Sequence, residues 1–167
     1  MAKIPRKKRA RLTHFDASGN AKMVDVGPKE ITERVAVARG AVRMAPATLR
    51  LIGAKKAKKG DVLAVAQLAG IMAAKRTSEF IPLCHPLALS AVDLKLSLNR
   101  RKSRVDIEAT CRLKGRTGVE MEALSAVAVA GLTVYDMVKA VDRSMIIEGI
   151  ELIHKSGGKS GTYNKKR

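Results

Sequence analysis

The order of strand-like and helix-like segments is the feature that most constrains how this 167-residue chain can fold. Segments that alternate apolar with polar residues, as half-buried strands do, surround two long segments rich in apolar residues. In chain order they are the strand 34–44, the helix 60–80, the strands 91–99 and 104–113, the helix 119–141 and the strand 145–155. This β-α-β-β-α-β order predicts an α+β, ferredoxin-like fold, with an antiparallel sheet and both long helices on one face.

The two predicted helices carry recognisable end signals. Asp61 near the start of the first helix, and Lys75 and Arg76 near its end, suit the helix dipole. That helix is apolar almost all round, so we expect more than one neighbour to cover it. In the second helix, Thr117 stands three residues before Glu120 in a capping-box pattern, which predicts a start near residue 119.

The net charge of +18 is unevenly distributed along the chain. Most Lys and Arg residues fall in four runs without Asp or Glu, namely residues 1–11, 39–59, 100–104 and 155–167. The remainder is mildly acidic. We predict a disordered basic extension over 1–11, a single domain over 12–161 and a basic tail over 162–167.

Several function classes are disfavoured by composition. Two Phe, two Tyr and no Trp offer no stacking platform for single strands, so the charge predicts only non-specific attraction to nucleic acid. Two cysteines without a C-x-x-C pattern fit a reducing compartment, and we expect a cytoplasmic protein. No segment has the pattern of a membrane span or a secretory signal, so we expect no membrane association.

The run KSGGKSG at residues 155–161 raises the possibility of a phosphate-binding P-loop. A P-loop needs a further glycine at position 153, where this chain has Ile153, so that interpretation fails. Two interpretations stay open. Lys155 and Lys159 contact an anion, or the run is a flexible basic segment.

The dipeptide Cys84-His85, held between Pro82 and Pro86, allows three interpretations. The histidine is a core or capping residue, or it makes a polar contact to a substrate. The third interpretation is a metal site made by Cys84, His85, Cys111 and a second histidine, although no metal-ligand spacing is present.

The second predicted helix places Glu122, Asp136 and Lys139 on one face. Asp136 and Lys139 form either a surface ion pair or a proton-transfer couple. Glu120 and Glu122 either favour the helix start or accept the adjacent N–H donors of a guanine or pterin ring. Glu122 and Asp136 are about 21 Å apart along a helix, so a compact substrate that meets both requires two chains.

Several short stretches in a fixed order, spanning residues 12–161, carry a resemblance to a known family. They are MVDV (23–26), KGDV (59–62), AAKRT (73–77), IPLCHPL (81–87), TGVEMEAL (117–124), YDMVKAV (135–141) and KSGGKSG (155–161). Together they resemble the MoaC family of molybdenum-cofactor biosynthesis, the cyclic pyranopterin monophosphate synthases. The basic extension 1–11 has no counterpart in that family.

The resemblance implies a lyase that converts (8S)-3′,8-cyclo-7,8-dihydroguanosine 5′-triphosphate to cyclic pyranopterin monophosphate and pyrophosphate. This reaction requires no redox step, and the sequence has no cofactor fingerprint and no metal-ligand spacing, so we expect no cofactor and no metal site. The resemblance further implies a homohexamer, built as a trimer of dimers, with sites at the dimer interface. The competing hypothesis is a small basic RNA-associated protein without catalysis.

The resemblance also implies roles for individual residues. The catalytic positions are Asp136, Lys59 and Lys139, where the following Gly-Asp-Val selects Lys59 from a run of lysines. The substrate-binding positions are Leu83, Cys84, His85, Met121 and Glu122, with Arg34, Glu120 and Lys155 as further pocket positions. Lys155 and Lys159 are expected to clamp the triphosphate of the substrate as point charges.

Overall fold

The computed structural model describes residues 18–159 and 161–166, so the predicted extension 1–11 lies outside it. Within the described residues, five antiparallel strands form one sheet in the order β2-β3-β1-β4-β5. They are β1 (Thr32–Arg43), β2 (Ala91–Asn99), β3 (Arg104–Gly115), β4 (Ile146–Ser156) and β5 (Tyr163–Asn164). The order of the first four strands is that of the split βαβ arrangement, which confirms the predicted ferredoxin-like fold.

The helices of the described chain pack on the sheet. They are α1 (Pro46–Gly53), α2 (Val62–Lys75), α3 (Thr77–Phe80) and α4 (Glu120–Val138). The two long helices, α2 and α4, pack against each other, while α2 contacts β2 and α4 contacts β1, β3 and β4. Both long helices therefore lie on one face of the sheet, as predicted.

Small residues allow α2 and α4 to approach each other and the sheet closely. Ala123, Ala126 and Ala130 of α4 are fully buried. Gly70 of α2 faces them, and a Cβ at that position would lie 2.8 Å from the Ala126 carbonyl oxygen. The alanine and glycine content of the two helices thus follows from a close helix–helix contact.

The opposite face of the sheet carries charged side chains. Arg39 pairs with Glu151 at 2.7 Å, and Arg43 pairs with Glu148 at 3.3 Å, both between β1 and β4. Lys165 also pairs with Glu151, and its backbone N–H donates to the Ile153 carbonyl oxygen. Part of the predicted basic tail is therefore attached to the sheet beside β5.

Three sequence-based expectations about the helices differ from the structure. The predicted helix 60–80 is divided at Arg76 into α2 and α3. Its predicted start signal is correct, since Asp61 caps α2 by accepting from the Ala64 N–H at 3.2 Å. The capping box before α4 is wrong. The N-cap is Val119, whose apolar side chain cannot accept a hydrogen bond, and Glu120 instead accepts from Lys155. The short helix α1 was not predicted.

Helix α4 has the length and apolar composition of a membrane span, contrary to the expectation from the sequence. More than half of that span, 56%, is buried inside the fold, as in the core helix of a globular domain.

One side of α2 leaves apolar side chains exposed in this single chain. Val65, Leu68 and Met72 are 43%, 60% and 45% exposed.

Candidate functional site

A cavity of about 950 Å³ lies where the start of β1 meets the end of β4 and the beginning of α4. Antiparallel pairing creates this junction, because Val35 lies opposite Ser156 and Arg34 lies opposite Leu113. The cavity is lined by all nine residues predicted to contact substrate: Arg34, Leu83, Cys84, His85, Glu120, Met121, Glu122, Lys155 and Lys159. Tertiary structure thus collects these residues from β1, the loop before β2, α4, the end of β4 and the segment after it.

Arg34 contributes a buried positive charge to the cavity. The residue is only 7% exposed, and its Nε donates to the Gly115 carbonyl oxygen at 3.2 Å. No carboxylate in residues 18–159 or 161–166 forms an ion pair with it. A desolvated guanidinium without a carboxylate favours an anionic ligand, and its planar donors suit phosphate oxygens.

Two glycines after β4 lie directly against Arg34. Gly157 and Gly158 have φ values of +96° and +70°, a region that side-chain-bearing residues rarely adopt. A Cβ on Gly157 would overlap the Glu33 carbonyl oxygen, and one on Gly158 would overlap the Arg34 guanidinium. The glycine-rich run therefore covers Arg34 closely, which explains the glycines without a P-loop.

The lysines of this run have different surroundings. Lys155, in β4, donates to Glu120 Oε1 at 2.8 Å, with both side chains less than one-third exposed. Lys159 lies beyond the glycines and is exposed. Together with Arg34, these lysines give one wall of the cavity a positive character.

Three buried or partly buried groups at or beside the cavity, Glu122, Cys84 and Cys111, have raised pKa values. Glu122 is 3% exposed, and burial raises its carboxyl pKa, with the charge of Glu120 acting in the same direction. Burial, with the charge of Glu122, also raises the pKa of the Cys84 thiol and raises that of Cys111 to about 12. Both thiols are therefore protonated at neutral pH and are poor nucleophiles. In the described part of the chain, no three His, Cys, Asp or Glu residues cluster as metal ligands would.

The segment before β1 forms the outer rim of the cavity. With its proton on Nε2, His85 donates to the Val24 carbonyl oxygen at 2.9 Å, and Arg116 Nε donates to the Lys29 carbonyl oxygen at 3.0 Å. Val24, Lys29 and Arg116 line the cavity but were not among the site residues predicted from the sequence. Val24 lies in the MVDV stretch and Arg116 directly precedes TGVEMEAL, so their proximity to motifs was the available signal.

A second polar cluster forms at the other end of α4. Asp136 Oδ2 accepts from Lys59 Nζ at 2.8 Å, and Asp136 Oδ1 accepts from Lys139 Nζ at 2.7 Å. Hydrogen bonds from Lys139 and then Lys59 lower the pKa of Asp136 to about 2, and Asp136 in turn raises the pKa of Lys139. All three side chains are about half exposed, so solvent or a ligand can reach them.

The two clusters are separate within one chain. Among the described residues, the lining of the cavity includes neither Asp136 nor the two lysines that pair with it. Glu122 and Asp136 are about 21 Å apart along α4, because an α-helix rises about 1.5 Å per residue. The structure therefore brings together the three predicted catalytic residues, and separately the nine predicted substrate contacts.

Comparison with known proteins identifies relatives that cover most of this chain. Residues 23–158 match the MoaC family. The chain is 67% identical over 152 residues to a cyclic pyranopterin monophosphate synthase of Rhodospirillum rubrum, covering 91% of this chain and 92% of that protein. It is 62% identical to a protein of the same name from Dinoroseobacter shibae, covering 91% and 96%. With one from Pelotomaculum thermopropionicum it shares 59% identity, covering 93% and 91%.

Proposed function

This chain belongs to the MoaC family, and we propose that it converts (8S)-3′,8-cyclo-7,8-dihydroguanosine 5′-triphosphate to cyclic pyranopterin monophosphate and pyrophosphate. Relatives named as this synthase, at 59% identity or more over 91% or more of the chain, favour the lyase over the RNA-associated alternative. The observation that carries the proposal is the cavity itself. It combines a buried guanidinium free of carboxylate partners among the described residues with the buried carboxyl of Glu122.

The cavity suits a substrate with a triphosphate at one end and a fused ring at the other. Arg34, Lys155 and Lys159 form the positive wall and bind the phosphates. Glu122 and His85 hold the ring, since a carboxyl accepts from adjacent N–H groups or, when protonated, donates to a ring nitrogen. Cys84, Leu83 and Met121 pack against the ring faces.

The Lys59–Asp136–Lys139 cluster supplies the proton transfers. A ribose hydroxyl oxygen bonds to the α-phosphorus, the bond to the bridging oxygen breaks, and pyrophosphate leaves. The hydroxyl proton passes to the Asp136 carboxylate, and the ring rearrangement takes protons at nitrogen and oxygen from the Lys59 and Lys139 ammonium groups. Before the reaction Asp136 is ionised between these two ammonium groups, which orients both lysines as proton donors.

A complete site combines the cavity of one chain with the Asp136 cluster of another. The separation of the two clusters supports this arrangement, and so does the uncovered apolar surface of Val65, Leu68 and Met72 on α2. A homodimer with sites at its interface, assembled three times into a homohexamer, is the assembly that the family resemblance implies. The cysteine content favours a cytoplasmic location. Residues 12–161 form the catalytic domain, and the extension 1–11 is dispensable for chemistry.

The test is a turnover assay with the purified cyclised triphosphate, following pyrophosphate and cyclic pyranopterin monophosphate together. The wild type is expected to release both in equal amounts. Arg34→Ala is expected to weaken substrate binding by about tenfold or more, because a charge-assisted phosphate contact is lost. Arg39→Ala, which removes an exposed arginine on the opposite sheet face, is the matched control. Absence of both products with the wild type would reject the proposal.

A further inference from the structure

The buried carboxylate of Asp142 joins the segment after α4 to the start of α1. Its Oδ2 accepts from the Ala45 backbone N–H at 2.9 Å and from the Thr48 hydroxyl at 3.0 Å. Its Oδ1 accepts from the Ser144 backbone N–H at 3.0 Å and from the Ser144 hydroxyl at 2.7 Å. Asp142 is only 7% exposed, so these four bonds satisfy a carboxylate that is largely removed from water.

This contact supplies α1 with an acceptor that its own sequence lacks. The N-cap residue of α1 is Ala45, which has no polar side chain, and its own backbone N–H has no acceptor within the helix and donates to Asp142. The negative charge of Asp142 beside this end also suits the helix dipole. Asp142 therefore ties the start of α1 to the segment after α4.

The direction of α1 in turn sets the loop that carries Lys59. Bonds within the chain hold this loop against the helix end, since Ala54 N–H donates to Arg50 O at 2.9 Å and Lys56 N–H donates to Leu51 O at 3.2 Å. Lys55 pairs with Asp61 at 2.8 Å across the loop. A tilt of α1 would therefore carry Lys59 with it.

Asp142 is also bonded to the end of α4 that carries Asp136 and Lys139. Its backbone N–H donates to the Val138 carbonyl oxygen at 3.2 Å. One residue thus holds both elements that deliver the Lys59–Asp136–Lys139 cluster, by its backbone on α4 and by its side chain on α1. We infer that Asp142 is a positioning residue that sets Lys59 Nζ within hydrogen-bonding distance of Asp136.

The first test measures position without turnover. Asp142→Asn replaces one carboxylate oxygen, which accepts hydrogen bonds, with an amide NH₂ group that can only donate. The groups around it are themselves donors, so hydrogen bonds to α1 or to Ser144 are lost and α1 should open more often. We expect amide hydrogen exchange over residues 45–61 to rise about tenfold, because a net hydrogen bond is lost, while β3 exchanges as in the wild type.

A second variant, Thr48→Val, keeps the test decisive even if Asp142→Asn folds poorly. It removes one hydrogen bond to Asp142 at nearly constant side-chain volume and should raise exchange in the same region by less. The control is Asp93→Asn, an exposed carboxylate on β2. Unchanged exchange over 45–61 in both α1-directed variants would overturn the inference.

The second test measures the catalytic consequence, which rests on the proposed function. Asp142→Asn should lower kcat by roughly ten- to a hundredfold with little change in KM, since misplacing a catalytic group by about 1 Å has effects of that order. In single-turnover measurements, the double variant Lys59→Ala/Asp142→Asn should be no slower than Lys59→Ala alone. If the rate losses of the two single variants add in the double variant, Asp142 does not act through Lys59, and the catalytic part of the inference is rejected. A wild type without turnover would reject the proposed function, while the exchange experiment would still decide the positioning contact.

Discussion

Lys59 and Asp136 are 77 residues apart in the sequence, yet the Lys59 ammonium donates both to the Asp136 carboxylate, at 2.8 Å, and to its backbone carbonyl oxygen, at 3.1 Å. Two acceptors from one residue define the lysine position more tightly than a single ion pair does. Lys139 contacts the other carboxylate oxygen at 2.7 Å. Asp136 is therefore an anion held between two cations at a half-exposed surface, an arrangement suited to moving protons.

Loss of this cluster should impair turnover without unfolding the protein. We predict that Asp136→Asn and Lys139→Ala each lower kcat by about a hundredfold or more, the usual scale for general acid–base groups. The melting temperature should change little, because both side chains are about half exposed. The exposed pair Asp93 and Lys95 on β2 provides matched controls, Asp93→Asn and Lys95→Ala. Near-normal rates in either cluster variant would identify a surface ion pair only.

Mixing two inactive variants tests whether each site uses two chains. Asp136→Asn and His85→Ala each damage a different cluster, and a mixed dimer would have one site free of both changes. We predict that activity returns when the two variants exchange subunits. Mass spectrometry verifies exchange, and an Asp136→Asn/His85→Ala double variant mixed with itself is the control. Exchange without recovered activity would show that each site draws both groups from one chain.

The close contact of Gly158 with Arg34 predicts a specific binding defect. Gly158→Ala should raise KM by about tenfold or more, because the added methyl displaces the guanidinium and weakens its charge-assisted phosphate bond. Gly161→Ala is the control. Its φ of +68° resembles the +70° of Gly158, so the backbone strain is alike, but a Cβ there meets no atom within 4 Å. Equal KM values for the two variants would argue against a role for this contact.

The buried carboxyl of Glu122 predicts a pH-dependent stability difference. Its folded-state pKa is raised from 4.5 by burial, so below pH 4.5 the wild type and Glu122→Gln should melt alike. As pH rises toward the folded pKa, the unfolded chain ionises while the folded one keeps its proton, and the wild type loses stability. Glu122→Gln should thus become the more stable protein, with a constant difference above the folded pKa. Melting curves across pH test this, with the exposed Glu108→Gln as control. A difference that shrinks with rising pH would contradict the prediction.

The basic extension should affect nucleic-acid retention and leave catalysis unchanged. The family match begins at residue 23, and residues 1–11 contain Lys and Arg without Asp or Glu. We predict that deleting 1–11 leaves kcat and KM unchanged while weakening salt-sensitive RNA binding. A control variant that keeps residues 1–11 but replaces their Lys and Arg with Ser shows whether RNA binding depends on the charge of the extension or on its length. If the deletion variant loses turnover, residues 1–11 contribute to catalysis and the prediction is wrong.

The sequence by itself determined the sheet and the long helices. The alternation of apolar and polar residues predicted both ends of β2 correctly, and it predicted the end of β3 to within two residues. It succeeded because one face of each strand is buried and the other is not. It did not predict α1, which is short, nor the break at Arg76 between α2 and α3. It predicted the start of α4 to within one residue but gave it the wrong cap, since Glu120 pairs with Lys155 and does not cap its own helix. Local propensity cannot anticipate a partner from a distant strand.

The sequence also supplied the residues of the site, since its motifs selected Arg34, His85, Glu122, Lys59 and Asp136. Helix geometry alone separates Glu122 from Asp136, and only the tertiary structure decided which residues from other segments join each of them. Antiparallel pairing of β1 with β3 and β4 collects one cluster at the start of α4, and the loop before α2 brings Lys59 to Asp136 and Lys139 at the end of that helix. Arg34 lacks an ion-pair partner in the described chain, and Gly158 covers it, through contacts between segments far apart in sequence. Such burial and unpaired charge exist only after folding, because they depend on what surrounds a side chain rather than on which side chain it is.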